Sequence, residues 1–223
     1  MGEILTRSRL EFPPLIVLAG GASRRMGVPK GLMGSKTAPW LETQLAHFVR
    51  VGGTCAVVVL GYHRNRYVEA MPWLQPDITP PGDLSSLEVI TSINPRPEDG
   101  PFSSLRSGLA AVQGRGANRV WVLPVDVPCP DSETFSALLA AADDRRVLAC
   151  VPVHAGCGGH PVLLDRRVFT RFEHLAADDP EARLDKQIRK LEVSSIRRVD
   201  VDDPAVCLDL NTPEDLADFH RTS

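Results

Sequence analysis

Short apolar runs alternate along the chain with stretches in which apolar residues recur every three or four positions. Five runs stand out: residues 15–19 (LIVLA), 54–60 (TCAVVVL), 87–93 (LEVITSI), 119–125 (RVWVLPV) and 147–153 (VLACVPV). Each is strand length and rich in β-branched residues. Most lack in-out alternation, as strands covered by helices on both faces do, so they predict a mostly parallel sheet. Between them, residues 40–51, 102–113 and 131–142 have helical period, and in the second Leu105, Leu109 and Val112 share one face. Strand and helix in alternation predict a doubly wound α/β layer structure.

After residue 153 the pattern changes. A turn rich in glycine (Gly156, Gly158, Gly159) leads into a short strand at 160–165, then into helices near 166–175 and 181–191 and a last strand near 195–201. The closing segment DLNTPEDL starts a helix, with Thr212 suited to the N-cap, Pro213 to the first helical position and Asp215 to a capping box. No internal repeat is visible, and the proline-rich stretch 75–82 reads as a loop. The expectation is an N-terminal arm over residues 1–14 and one domain over 15–223, with the late segment inserted over the sheet edge.

Composition narrows the classes. Of 223 residues, 43% are apolar and 24% charged, the balance of an ordinary globular protein. Lys plus Arg is 25 against 28 Asp plus Glu, a net charge of -3, which argues against a nucleic-acid binder held by phosphate neutralisation. Any anion site must be local. No apolar run approaches the roughly 18–20 residues that span a bilayer, and the opening MGEILTRSRLEFPP lacks the apolar stretch of a secretory signal. A cytoplasmic protein without a membrane partner is expected. The five cysteines are odd in number, widely spaced and never in a CxxC pair, so they read as reduced thiols. Cys150, His154, Cys157 and His160 have the identities of zinc ligands, but their spacing argues against a zinc site.

The segment LAGGASRRMGVPK, residues 18–30, leaves the first predicted strand. It holds three cations (Arg24, Arg25, Lys30) and no acid among thirteen residues. Glycines let backbone N–H groups approach an anion closely, and the cations add charge, so a triphosphate is a fitting guest. The GxxxxGK[ST] and GxGxxG loops are both absent. The segment resembles instead the LAGGxSxRMGxxK signature of the MobA-like NTP transferase family, matched by Gly20, Gly21, Ser23, Arg25, Met26, Gly27 and Lys30, with further matches along nearly the whole chain beyond the arm. The resemblance implies a three-layer Rossmann-like nucleotidyltransferase fold. It also implies transfer of a nucleotide from an NTP to a phosphorylated acceptor with Mg²⁺, the NTP being held along Leu18, Ala19, Gly20, Gly21, Ser23, Arg25 and Lys30. Arg24 falls on a variable position.

Magnesium is usually held by one or two carboxylates with phosphates and water. Asp126 ends an apolar strand and is followed by Pro128 and Pro130, which place it at a carboxyl end of the sheet, where open α/β sheets bind ligands. The family carries its metal aspartate in the matching DxP segment, which implies a catalytic role for Asp126 with Arg25 and Lys30. Relatives often have Asp where this chain has Asn211, which makes Asn211 the second metal candidate and Asp209 its reserve. NPRPEDGPFSSLRSG resembles the family's base and acceptor loop, bringing in Asn94 with Ser103 and Ser104, which suit capping of the following helix as well as hydroxyl contacts to ligand. GCGGHPV resembles the turn that faces the acceptor, with His160 as a proton shuttle, an acceptor contact or a turn hydrogen bonder.

The reaction implied is attack of an acceptor phosphate, that of a molybdopterin cofactor, on the NTP α-phosphorus. For the base, the Gly20-Gly21 pair and Asn211 resemble the guanylyl branch. The missing acid before Lys30, the SSL of residues 103–105 and the GHPV of 159–162 resemble the cytidylyl branch, so CTP is expected over GTP. Rival readings are a sugar or polyol phosphate nucleotidyltransferase and a non-catalytic protein that delivers cofactor to a partner molybdoenzyme.

Overall fold

The computed structural model describes residues 12–23, 27–35, 38–175 and 179–222. Its main sheet is built from β1 (Leu15–Ala19), β4 (Cys55–Leu60), β5 (Glu88–Ile93), β6 (Arg119–Pro124), β7 (Ala149–His154), β8 (Cys157–Gly158), β9 (Val162–Asp165) and β10 (Ile196–Asp200). Two short strands, β2 (Gly34–Ser35) and β3 (Ala38–Pro39), form a separate antiparallel pair. The spatial order is β10-β7-β9-β6-β1-β4-β5, with β8 pairing β7. β5, β4, β1 and β6 run parallel; β9 is antiparallel to both its neighbours, and β7 and β10 are parallel to each other.

Helices cover both faces, which is why β1, β4 and β6 are nearly continuously apolar. On one face α1 (Trp40–Arg50), α2 (Arg64–Ala70), α4 (Ser132–Ala141) and α7 (Pro213–Thr222) pack on Leu15, Val17, Val58 and Trp121. On the other, α3 (Pro101–Gln113), α5 (Phe169–Glu173) and α6 (Leu184–Arg189) pack on Ile16, Val57, Val59 and Val122. This is the three-layer α/β arrangement expected from the alternation of runs, with the strands within two residues of the predicted ranges. Among the described residues no helix is long and apolar enough to cross a membrane.

Two expectations change. The late segment does not lie over the sheet edge: β9 is inserted between β6 and β7, with Val122 opposite Val162 and Ala149 opposite Leu164. VLLD is apolar enough to be buried on both faces, and its insertion also buries the flanking edges of β6 and β7. The arm also ends earlier than residue 14. Phe12 sits against Phe48, Trp121 and Phe135 at ring centroid distances of 5.6, 6.0 and 5.5 Å, so it belongs to the aromatic core.

Chain order gives the sheet its switch point. From β1 the chain steps to β4 and β5 on one side, then returns to place β6 on the other side of β1. The carboxyl ends of β1 and β6 therefore open onto a crevice, where doubly wound sheets bind ligands.

Candidate functional site

At this crevice the Val125 N–H donates to the Leu18 carbonyl at 3.1 Å, so residues 19–20 and 125–126 leave the sheet side by side. The exits of β1 and β4 also touch. A Cβ on Gly61 would stand 2.5 Å from the Gly20 carbonyl oxygen, and one on Gly20 would stand 2.7 Å from Ser104 Oγ, so this close approach requires glycine. Gly21 is exposed, with open space where a Cβ would be. Ala19 turns its side chain into the core, whereas Leu18 lines a cleft on the opposite face.

Beyond Gly21 the chain turns at Ser23, whose φ of +45° lies in the left-handed region that few side chains adopt. Ser23 Oγ accepts the Lys30 N–H at 3.2 Å, closing the loop on itself. Arg25, with Arg24 and Met26, lies outside the described residues. Lys30 opens a single 3-10 turn, Lys30–Leu32. Behind it the Tyr67 hydroxyl accepts the Gly31 N–H at 3.0 Å. Burial pushes the Tyr67 phenol up to about 12, with the Asp126 charge adding to the effect against the Gly31 bond.

Lys30 Nζ donates to Asp126 Oδ2 at 2.5 Å and to Asn211 Oδ1 at 2.7 Å. Asp126 is positioned by backbone as well, since its carbonyl accepts the Leu210 N–H at 2.8 Å and ties the C-terminal strap to the β6 exit. The strap is stiffened by the capping box read from sequence. Asp215 accepts the Asn211 and Thr212 N–H groups, each at 2.8 Å, and Thr212 Oγ1 accepts the Asp215 N–H at 3.1 Å. Those backbone donors, that of Asn211 first, hold Asp215 below the usual carboxylate range. Asp209 is exposed, and its carbonyl accepts Asn211 Nδ2 at 3.2 Å, orienting the amide so that Oδ1 faces Lys30.

Two oxygens, one charged and one neutral, thus converge on a single cation. That donor set fits a hard divalent ion that takes one or two protein oxygens and completes its shell with phosphates and water. Among the described residues no cluster of three or more His, Cys, Asp and Glu side chains is placed to hold a metal. Cys150 of the sequence's zinc candidates lies fully buried in β7.

Asn94 and Ser104 are brought together, but toward each other. Asn94 Nδ2 donates to Ser103 Oγ at 2.7 Å and Ser104 Oγ at 3.0 Å, and its Oδ1 accepts the Arg96 N–H at 3.0 Å. Both residues are buried, so they fix the start of α3 beneath the Gly20 backbone. His160 donates its N–H to the Val206 carbonyl at 2.9 Å, and its Nδ1 lies 3.2 Å from the Val122 carbonyl. A carbonyl only accepts, so Nδ1 carries the proton and Nε2 is left as an acceptor. Burial lowers the His160 pKa, against the Val122 bond and the charges of Asp126 and Asp209.

Sequence reasoning missed Tyr67, Gly61 and a group of arginines at α6, its N-cap and β10. α2 carries only Tyr67 as a buried residue, too little for a periodic signal, and the polar stretch after β4 also holds the exposed Tyr62, so residue type alone does not single Tyr67 out.

A family model, that of the MobA-like NTP transferase domain, matches residues 15–193. Molybdenum cofactor cytidylyltransferase of Escherichia coli (strain K12) is 23% identical over 202 residues, covering 90% of this chain and 91% of its own. Rv0371c of Mycobacterium tuberculosis H37Rv superposes with a TM-score of 0.71 at 23% identity, over 95% of this chain and 99% of its own. Its complex with manganese gives a TM-score of 0.65 at 20% identity, over 95% and 98%. A nucleotidyl transferase from Methanothermobacter gives 0.68 at 17% identity, over 95% and 99%. At these identities the structural likeness speaks for the fold.

Proposed function

Since the chain belongs to the MobA-like NTP transferase family and is a nucleotidyltransferase, we propose that it transfers CMP from CTP to the phosphate of molybdopterin, releasing pyrophosphate, with Mg²⁺. The observation that carries this reading is the convergence of Asp126 Oδ2 and Asn211 Oδ1 on Lys30 Nζ at the sheet switch point. Asp126 and Asn211 are the residues to hold the ion, with Asp209 beside them on the strap. The manganese complex of Rv0371c supports a divalent metal. When bound, the ion neutralises triphosphate charge and orients it for displacement.

The chain's own residues supply the rest. The triphosphate is assigned to the backbone N–H groups after β1 and, by the signature, to the cations Arg25 and Lys30, with Lys30 exchanging its two oxygens for phosphate. The acceptor phosphate is already ionised at neutral pH, so catalysis is positioning and electrostatic stabilisation. His160, neutral and with Nε2 free to accept, orients a donor on the acceptor. The CTP choice is supported by the SSL and GHPV segments and by the Escherichia coli relative. The Gly20-Gly21 pair and Asn211 favour GTP. A site built to hydrogen-bond one base edge rejects the other by up to ~10⁴-fold. The test is a direct competition of CTP against GTP with molybdenum-loaded pterin, following pyrophosphate and product. Preferential GMP incorporation overturns the base assignment, and no transfer from either nucleotide overturns the acceptor assignment. A molybdoenzyme that receives the dinucleotide is the expected partner.

A further inference from the structure

A cleft of about 670 Å³ runs along the carboxyl ends of the strands, away from the glycine loop and on the face covered by α3 and α6. Leu18 and Pro124 line its near end, each two residues before Gly20 and Asp126. Leu105, Val151, Val162 and Ile188 make an apolar floor. Its other lining residues include Arg198 of β10, Arg189 at the end of α6 and Arg183, the extended residue just before α6. In the order β6-β9-β7-β10, three strand spacings separate the Asp126 exit from Arg198. At roughly 4.8 Å per spacing that is about 14 Å.

The charge at this far end is not balanced. Arg183 and Arg189 share one carboxylate, Asp185, at 3.0 and 3.3 Å. Arg198 has no ion pair or hydrogen bond among the described residues, and its guanidinium lies beside Gly158, where a Cβ would come within 3.3 Å of it. Three guanidiniums against one acid leave an excess of positive charge at the end of an apolar slot, in a chain of net charge -3. Guanidinium groups bind planar or tetrahedral oxyanions and carbonyl edges through paired N–H donors. A short phosphomonoester would fill only the near end.

We infer that this cleft is the acceptor site and that it selects an elongated, flat acceptor with a second anionic or carbonyl-rich group about 14 Å from the reacting phosphate, read by Arg198 with Arg183 and Arg189 beside it. The inference rests on the proposal that the chain transfers a nucleotide to a phosphorylated acceptor. It adds that specificity for that acceptor is set at the end far from the chemistry, so Arg198 is a specificity residue for the acceptor and has no part in nucleotide binding.

The test uses two acceptors, molybdenum-loaded pterin phosphate and glycerol 3-phosphate, which carries a phosphate and no far end. Titration calorimetry measures their binding, and pyrophosphate release measures KM and kcat. Arg198→Ala should raise Kd and KM for the pterin by about 10- to 100-fold, the range of a hydrogen bond to a charged group. It should leave KM for CTP, the response to glycerol 3-phosphate and the melting temperature unchanged. Arg198→Lys, which keeps the charge and loses the fork, should recover part of the binding. The double variant Arg183→Ala/Arg189→Ala should act in the same direction. Equal pterin binding by wild type and both alanine variants overturns the inference. So does self-association of Arg198→Ala with unchanged Kd, which would make Arg198 a guard of the β10 edge. Wild type that turns over glycerol 3-phosphate without binding the pterin also overturns it, leaving the transferase reading intact. Absence of pyrophosphate release with either acceptor fails the proposed reaction, while the binding comparison still decides the cleft.

Discussion

Replacing Asp126 by Asn changes one carboxylate oxygen into an amide nitrogen at constant volume, and so isolates charge from packing. Lys30 then loses its 2.5 Å ionic partner but keeps the Asn211 oxygen at 2.7 Å. The side chains of the pair are 21% and 23% exposed, between a solvated pair and a buried one. Exposed pairs contribute about 0.2–1 kcal/mol, and breaking a buried pair costs about 3–5 kcal/mol. With a second acceptor retained and water in reach, the loss of stability should be about 1–2 kcal/mol, a fall in Tm of roughly 3–6 °C for a chain of this size. Turnover should fall much further, by about 10²- to 10³-fold, because the lost charge acts on metal and triphosphate at once. The assay is pyrophosphate release against Mg²⁺ concentration, beside a melt of the same preparation. A variant that melts a few degrees lower but keeps wild-type kcat and half-saturating Mg²⁺ would show Asp126 to be a structural partner of Lys30 and refute the reasoning. The counterpart Asn211→Asp adds a carboxylate to the same cation site and should lower the half-saturating Mg²⁺.

Arg25→Ala should weaken NTP binding or turnover strongly and Arg24→Ala mildly; equal small effects in nucleotide titrations would remove the loop from phosphate binding. The Tyr67 phenol ionises near 12 when folded against about 10 when unfolded. Its neutral form therefore contributes stability that is complete below pH 10 and lost as pH rises from 10 to 12. Tyr67→Phe should flatten urea-unfolding stability over that window and cost about 1–3 kcal/mol at neutral pH, because the Gly31 N–H loses its acceptor; an unchanged alkaline slope would sink this account. Burial raises the Cys129 thiol and pushes Cys150 up to about 11, whereas Cys157 is exposed. A disulfide reagent followed by mass mapping should label Cys157 in the native state and reach Cys129 and Cys150 only after unfolding.

The main strands were legible because burial on both faces writes itself into local composition: CAVVVL and RVWVLP admit few other readings. VLLD was legible as a strand, but its place between β6 and β7 was not, since nothing local distinguishes an inserted strand from an edge strand. The site shows the same division. Lys30 lies 96 positions from Asp126 and 181 from Asn211, so only the family resemblance brought the three together, and it carried no information on which oxygen faces the ammonium. The resemblance of the loop makes Asn94 and Ser104 ligand contacts, but it carries no information on the hydrogen bond that joins them beneath Gly20. Arg183, Arg189 and Arg198 carry no signal in the sequence, because only the fold brings them to one cleft.

The position of β9 bears on how the protein can be made. A chain growing from its N-terminus completes β1, β4, β5 and β6 while residue 124 is the last strand residue formed, and the next strand to pair with β6 ends at Asp165. Until then the apolar VWVL edge of β6 has no neighbour on that side, and β7, though already synthesised, cannot join the sheet directly because β9 stands between them. Open apolar edges are templates for pairing between molecules. A polypeptide that ends after residue 124 and before β9 is therefore left as a half-sheet with its stickiest strand outermost, and premature release from the ribosome in that interval yields an aggregation-prone fragment in place of a smaller working enzyme.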